Sequence, residues 1–176
     1  MPLADISMAI ESHQSLSTLK SQKMNVLAPV KTLMTTKLIT VTPEDKLAVV
    51  KEIFEKNRIH HIPVVRYREM VGLISKTDFI YFMRGFNRNE EDRFVNEARL
   101  RTYRAEDIMT KGLAKLSPDS RINVALEIFL ENRFHAIPVV EEDGTLSGIL
   151  TTFDIIKALA TEEVTAKQIL ESNNLQ

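Results

Sequence analysis

The chain has 176 residues, of which 44% are apolar and 27% charged, enough for one ordinary domain or two small ones around a packed core. Lys and Arg number 23 against 24 Asp and Glu, and a net charge of -1 gives no electrostatic case for a nucleic-acid or membrane partner. The lack of cysteine excludes disulfides, thiolate metal sites and thiol nucleophiles, and fits a reducing compartment.

At the N-terminus, Leu3, Ile6, Ile10, Leu16 and Leu19 recur at roughly helical spacing. This predicts a short amphipathic helix, an arm laid over apolar surface. The opening MPLADISMAIESH lacks the basic start and unbroken apolar core of a secretory signal. No apolar run approaches the roughly 20 residues of a membrane helix. The expected location is the cytoplasm. Residues 21–29 read as a linker ending at Pro29.

From Val30 a pattern begins that restarts at Ala105. Met34–Val65 aligns with Met109–Val140 at an offset of 75, with 15 identities in 32 pairs. One extra residue in the second copy's turn makes the offset 76, so Gly72, Ser75 and Asp78 meet Gly148, Thr151 and Asp154. The chain is an internal duplication. Its expected parts are an arm and linker (1–29), repeat one (30–85), a connector (86–104), repeat two (105–160) and a C-terminal extension and tail (161–176).

Each copy reads as strand, helix, strand, strand, helix. In copy one, Leu38–Val41 is a predicted strand, and Thr42 is placed to cap a helix with Pro43 in its first turn. Leu47, Val50, Ile53 and Phe54 then form one apolar stripe. Ile62–Val65 and Val71–Ile74 are buried strands joined by the polar loop Arg66–Met70. In copy two the corresponding loop holds the stronger turn signal, Asp143-Gly144. A single copy has a small core, and two copies packed about a pseudo-two-fold axis would share one. The predicted fold class is α/β (α+β). Phe79–Arg104, with Arg99, Arg101 and Arg104 close together, reads as a solvated helix face or a partner-docking surface.

Ser75-Lys76-Thr77-Asp78 and Thr151-Thr152-Phe153-Asp154 each follow a strand and open a helix. Ser/Thr-x-x-acid at that place is a capping box. The same geometry can also hold a ligand: a hydroxyl within reach of phosphate or sugar, and a carboxylate able to accept from two vicinal ribose hydroxyls. His60, His61 and His135 precede the Pro-led strands, accompanied by Arg58 and Arg133, and are placed to neutralise phosphate. A metal site is not expected, because His60 and His61 are adjacent and no HExxH accompanies them. No nucleophile elbow, P-loop or dinucleotide loop is present, so no enzyme activity is expected.

Two copies of Met-Thr, Pro, Ile-Pro-Val-Val and Gly-h-h-[Ser/Thr]-x-x-Asp, in this order over Val30–Ala160, resemble a tandem pair of CBS (cystathionine β-synthase) domains, a Bateman module. The resemblance implies β-α-β-β-α repeats paired through their sheets and a flat, disc-like homodimer. It also implies clefts for adenosine-containing ligands: AMP, ADP or ATP foremost, S-adenosylmethionine or NAD(H) next. In that family the Asp holds ribose, which carries over to Asp78 and Asp154, with Ser75 and Thr151 beside them. The residues before the Pro-led strand meet phosphate, matching His60, His61 and His135. The end of the first strand lines the base pocket, matching Thr40, whose counterpart Lys115 departs from the pattern; Ala136 likewise replaces His61 in copy two. The implied function is a non-catalytic, energy-sensing regulatory module acting on a protein effector in trans. The alternative is a ligand-free assembly protein whose Ser/Thr-x-x-Asp segments only cap helices. The expectation is two unequal clefts, with the better one using Asp78.

Overall fold

The structure, a computed structural model, describes residues 24–83, 90–132 and 134–160. The N-terminal arm, Arg133 and the C-terminal tail lie outside the described residues. Val26–Ile156 form one compact unit; the second unit, Met1–Asn25 with Lys157–Gln176, falls almost wholly outside the described residues.

The duplication is visible as two copies of one unit. In copy one, α1 (Leu47–Lys56) precedes an antiparallel hairpin, β1 (His61–Arg66) and β2 (Glu69–Ser75), and then α2 (Lys76–Phe82). Two connector helices follow, α3 (Glu90–Thr102) and α4 (Ala105–Ile108). Copy two repeats the order with α5 (Ile122–Asn132), β3 (Ala136–Val140), β4 (Leu146–Thr151) and α6 (Thr152–Ala160). Both hairpins carry a bulge at matching places, after Val64 and after Val139. This is the expected mixed α/β (α+β) fold.

The apolar stripe of α1 buries Leu47, Val50 and Phe54 against Val41, Ile62, Val64, Ile74 and Phe79. Their counterparts Ile122, Ala125, Phe129, Leu116, Ile137, Val139, Leu150 and Ile155 are all buried too. A strand pair with one buried face needs such a helix to exclude water.

Two local expectations are corrected. The first strand of each copy shrinks to a single parallel bridge, Val41 with Val64 and Leu116 with Val139. The remaining residues of each lead-in run between the copies instead of along the sheet. Nor is Thr42 the cap of α1. Its N–H donates to Asp45 Oδ2 at 2.6 Å and closes a turn, with Pro43 fully buried. Lys46 stays extended (φ -69°, ψ 150°) because it bridges Arg104, so the helix cannot begin before Leu47. The loop between β1 and β2 is a two-residue turn, with Tyr67 and Arg68 both at positive φ (50° and 75°). In copy two, Gly144 takes the positive φ (84°).

The copies interlock. Met70 N–H donates to Gly144 O (3.1 Å) and Leu146 N–H to Arg68 O (3.0 Å). These bonds exchange under the 76-residue offset, so a pseudo-two-fold axis passes between them. Each copy's leading turn docks on the other copy: Val30 N–H on Ser120 O (2.7 Å) and, symmetrically, Ala105 N–H on Asp45 O (2.8 Å). Along the seam Met70, Leu73, Ala136 and Ile149 are buried, with Leu38 and Leu113 packed against them.

Met109 packs against Gly72 and Met34 against Gly148; a Cβ at Gly72 would stand 2.8 Å from Met109 Cγ, and one at Gly148 would stand 3.0 Å from Thr35 O. Gly72→Ala is therefore expected to lose roughly 1–3 kcal/mol of stability through overpacking. Denaturant unfolding measures this, and Met109→Ala in the same chain should recover part of the loss.

The connector is tied down. Arg99 donates to the Phe82 carbonyl and lies over the Phe82 ring at 5.2 Å, and Phe82 meets Tyr103 edge-on at 5.0 Å. Arg99 thus serves packing, while Arg101 and Arg104 remain exposed.

Candidate functional site

Both Ser/Thr-x-x-Asp segments form the capping geometry. Ser75, the last residue of β2, accepts the Asp78 N–H at 3.0 Å and donates its hydroxyl to Asp78 Oδ2 at 2.6 Å. Thr151 ends β4 and does the same with Asp154, at 3.1 and 2.6 Å, and its own N–H donates to Asp154 Oδ2 at 2.8 Å. Each carboxylate is thereby fixed at the mouth of a strand–helix corner.

The histidine backbone is tied to the same corners. His60 O accepts the Lys76 N–H at 2.8 Å, and His135 O accepts the Thr152 N–H at 3.1 Å. His60 and His135 are exposed, while half-buried His61 opens β1 opposite Ser75. Burial pushes the His61 imidazole below its usual pKa, the charges of His60 and His135 push the same way, and Asp78 opposes them. Ala136, in the place of His61, is buried and apolar.

This lowered pKa has a consequence for stability. The unfolded chain binds the His61 proton more readily than the folded one, so stability is full above about pH 6.5 and falls as pH drops below it. Thermal melts from pH 7.5 to 5 should show that loss, and His61→Gln should flatten it. An unchanged slope in the variant would assign the loss to other groups.

The lead-in segments cross between copies. Thr35 exchanges backbone hydrogen bonds with Ile149 (2.9 and 3.0 Å), and its hydroxyl reaches Asp154 Oδ1 at 3.3 Å. Thr110 exchanges the equivalent pair with Leu73 (2.9 and 3.1 Å). Exposed Thr40 thus lies on a segment that starts beside Asp154 of copy two and ends at Val41, on β1 of copy one. Lys115 lies on the segment that starts beside β2, the strand leading to Asp78, and its Nζ donates to Met70 O at 3.1 Å. The lead-in that carries Thr40 therefore starts at β4, the strand leading to Asp154, and the one that carries Lys115 starts at β2, the strand leading to Asp78. Thr35 is a residue that sequence reasoning left without a role; its recurrence as Met34-Thr35 and Met109-Thr110 was the available signal.

The CBS domain family matches residues 30–85 and 105–161, one match per copy. The chain belongs to the CBS domain family. As a CBS pair it is 28% identical over 146 residues to protein MJ1426 of Methanocaldococcus jannaschii, covering 70% of this chain and 86% of that one. It is 29% identical to MJ1225 of the same organism over 72% of this chain, but spans only 45% of that relative's length. Against inosine-5'-monophosphate dehydrogenase of Thermoplasma acidophilum it is 25% identical and covers 22% of the enzyme. Among solved structures, CBSX2 in complex with AMP superposes with a TM-score of 0.62 at 25% identity, over 76% of this chain and 96% of that one. MJ1225 superposes with a TM-score of 0.66 at 26% identity, over 77% and 49% of the two chains. Among the described residues, no group of three or more His, Asp or Glu is arranged to hold a metal ion. No helix among them is long and apolar enough to cross a membrane.

Proposed function

We propose that this CBS pair is a non-catalytic regulatory module that binds an adenine nucleotide, AMP, ADP or ATP, between its two repeats. The observation that carries the reading is that each corner joins a fixed aspartate to the histidine before its Pro-led strand: the Lys76 N–H donates to His60 O beside Asp78, and the Thr152 N–H to His135 O beside Asp154. Imidazoles there suit a phosphate, and a carboxylate at the neighbouring corner suits ribose hydroxyls. The likeness to CBSX2, whose structure holds AMP, supports the same ligand class.

A ligand bridging the repeats stabilises one relative arrangement only by its differential affinity for it. The reader of that arrangement would be a protein effector in trans, in the cytoplasm, as an energy-sensing device. Val49, Ile80, Val124, Leu130, Phe153 and Ile156 are exposed on α1, α2, α5 and α6. A second copy covering them would give a disc-like homodimer, which analytical ultracentrifugation tests.

One observation favours the ligand-free alternative: Asp154 is hydrogen-bonded through both oxygens, to Thr151 and to Thr35. A carboxylate engaged through both oxygens serves as a cap without a ligand. Thermal shift and calorimetry against AMP, ADP, ATP, S-adenosylmethionine and NADH separate the readings. The nucleotide reading expects a rise in melting temperature with at least one phosphorylated adenosine, and no rise with any would leave the assembly reading standing.

A further inference from the structure

We infer that Lys115 closes the Asp78 cleft to an adenine base, so that each chain takes one nucleotide, in the cleft that joins Thr40 and Asp154. The inference rests on the nucleotide reading above and concerns which of the two clefts is used.

The two sides of the seam are related by the duplication, and they differ in what crosses them. On the Asp78 side the lead-in of copy two arrives from Thr110, packs Leu113 against the seam and reaches Lys115. The Lys115 side chain then spans to copy one, where its ammonium donates to the Met70 carbonyl. A charge-assisted bond of this kind holds the stem across the gap that a bridging base would occupy. A purine sliding in would have to strip the ammonium from its acceptor and bury it against an apolar ring, a costly exchange.

On the Asp154 side the lead-in of copy one arrives from Thr35, packs Leu38 and reaches Thr40. The counterpart of Met70 there is Leu146. Threonine has one short branch where lysine has four methylenes and a charge, so Thr40 is too short to make the reach that Lys115 makes. Leu38 and Thr40 leave an apolar wall beside a hydroxyl, which suits a base edge. The long Thr35–Asp154 bond, 3.3 Å, is the contact that ribose hydroxyls would replace.

The test is AMP binding to the full chain by titration calorimetry, with circular dichroism confirming folding of each variant. Wild type should bind one AMP per chain. Asp154→Ala should abolish that event and Asp78→Ala should leave it unchanged. Lys115→Thr should add a second event, lost again in Lys115→Thr/Asp78→Ala. Thr40→Lys should remove the wild-type event, and this variant decides the matter should Lys115→Thr fail to fold. Two events in wild type, a single event that depends on Asp78, or an unchanged stoichiometry in Lys115→Thr would each overturn the inference while leaving the nucleotide reading intact. No AMP binding in any variant, with ADP and ATP also inert, overturns both.

Discussion

The double variant Asp78→Ala/Asp154→Ala should fold and should no longer be stabilised by any adenine nucleotide. The aspartate of the filled cleft is expected to accept from both ribose hydroxyls of the bound nucleotide, and hydrogen bonds to a charged group contribute about 1.5–3 kcal/mol each. Losing two of them weakens binding by roughly a hundredfold or more. A nucleotide at a hundred times its Kd stabilises the wild type by about 2.7 kcal/mol. At the same concentration, the variant retains under about 0.5 kcal/mol of that effect. The measurement is the ligand-induced change in melting temperature, not the basal value. The basal value falls in any case, because both carboxylates also complete helix caps through Ser75 and Thr151. Losing the bonds that Ser75 and Thr151 make to these carboxylates costs about 0.5–1.5 kcal/mol each. If the nucleotide shift survived in the double variant, the ribose assignment would be wrong whichever cleft is filled.

Leu47→Ala should be the most damaging single substitution in copy one, at about 2–5 kcal/mol. Leu47 has 0% exposure and packs among Val50, Phe54, Ile62, Val64 and Ile74. Its N–H also donates to Tyr103 O at 3.1 Å, so the backbone there is pinned to the connector and cannot collapse into the hole. Val49, on the same helix but 40% exposed, should lose under about 0.5 kcal/mol as alanine. Paired denaturant titrations of the two variants give the contrast directly; similar losses would mean that the stripe of α1 does not face the core as described.

Much of this was legible in the sequence because it is written in local periodicity and in repetition. The stripe of Leu47, Val50 and Phe54, the apolar runs around Ile62–Val65 and Val71–Ile74, and the two caps follow from side-chain chemistry over a few residues. Copy-to-copy matching then supplied the family and the two-fold arrangement. What failed was also local in form and tertiary in cause. Leu38–Val41 has the composition of a strand, yet only Val41 pairs, because the preceding residues are drawn to the other copy by Thr35 and Ile149. Thr42-Pro43 has the composition of a helix start, yet Lys46 is held extended by Arg104.

The sequence by itself determined the duplicated elements, the buried stripe and the identity of the residues suited to a ligand: Thr40, His60, His61, Ser75, Asp78, His135, Thr151 and Asp154. Alignment can only match a residue with its copy, Thr40 with Lys115 and Asp78 with Asp154. Only the tertiary structure decided which copy's strand each lead-in joins. Each lead-in pairs with the far copy's strand, Thr35 with Ile149 and Thr110 with Leu73, because those strands have open edges whose backbone groups need partners. That exchange brings Thr35 to Asp154 and carries Lys115 to Met70 of copy one.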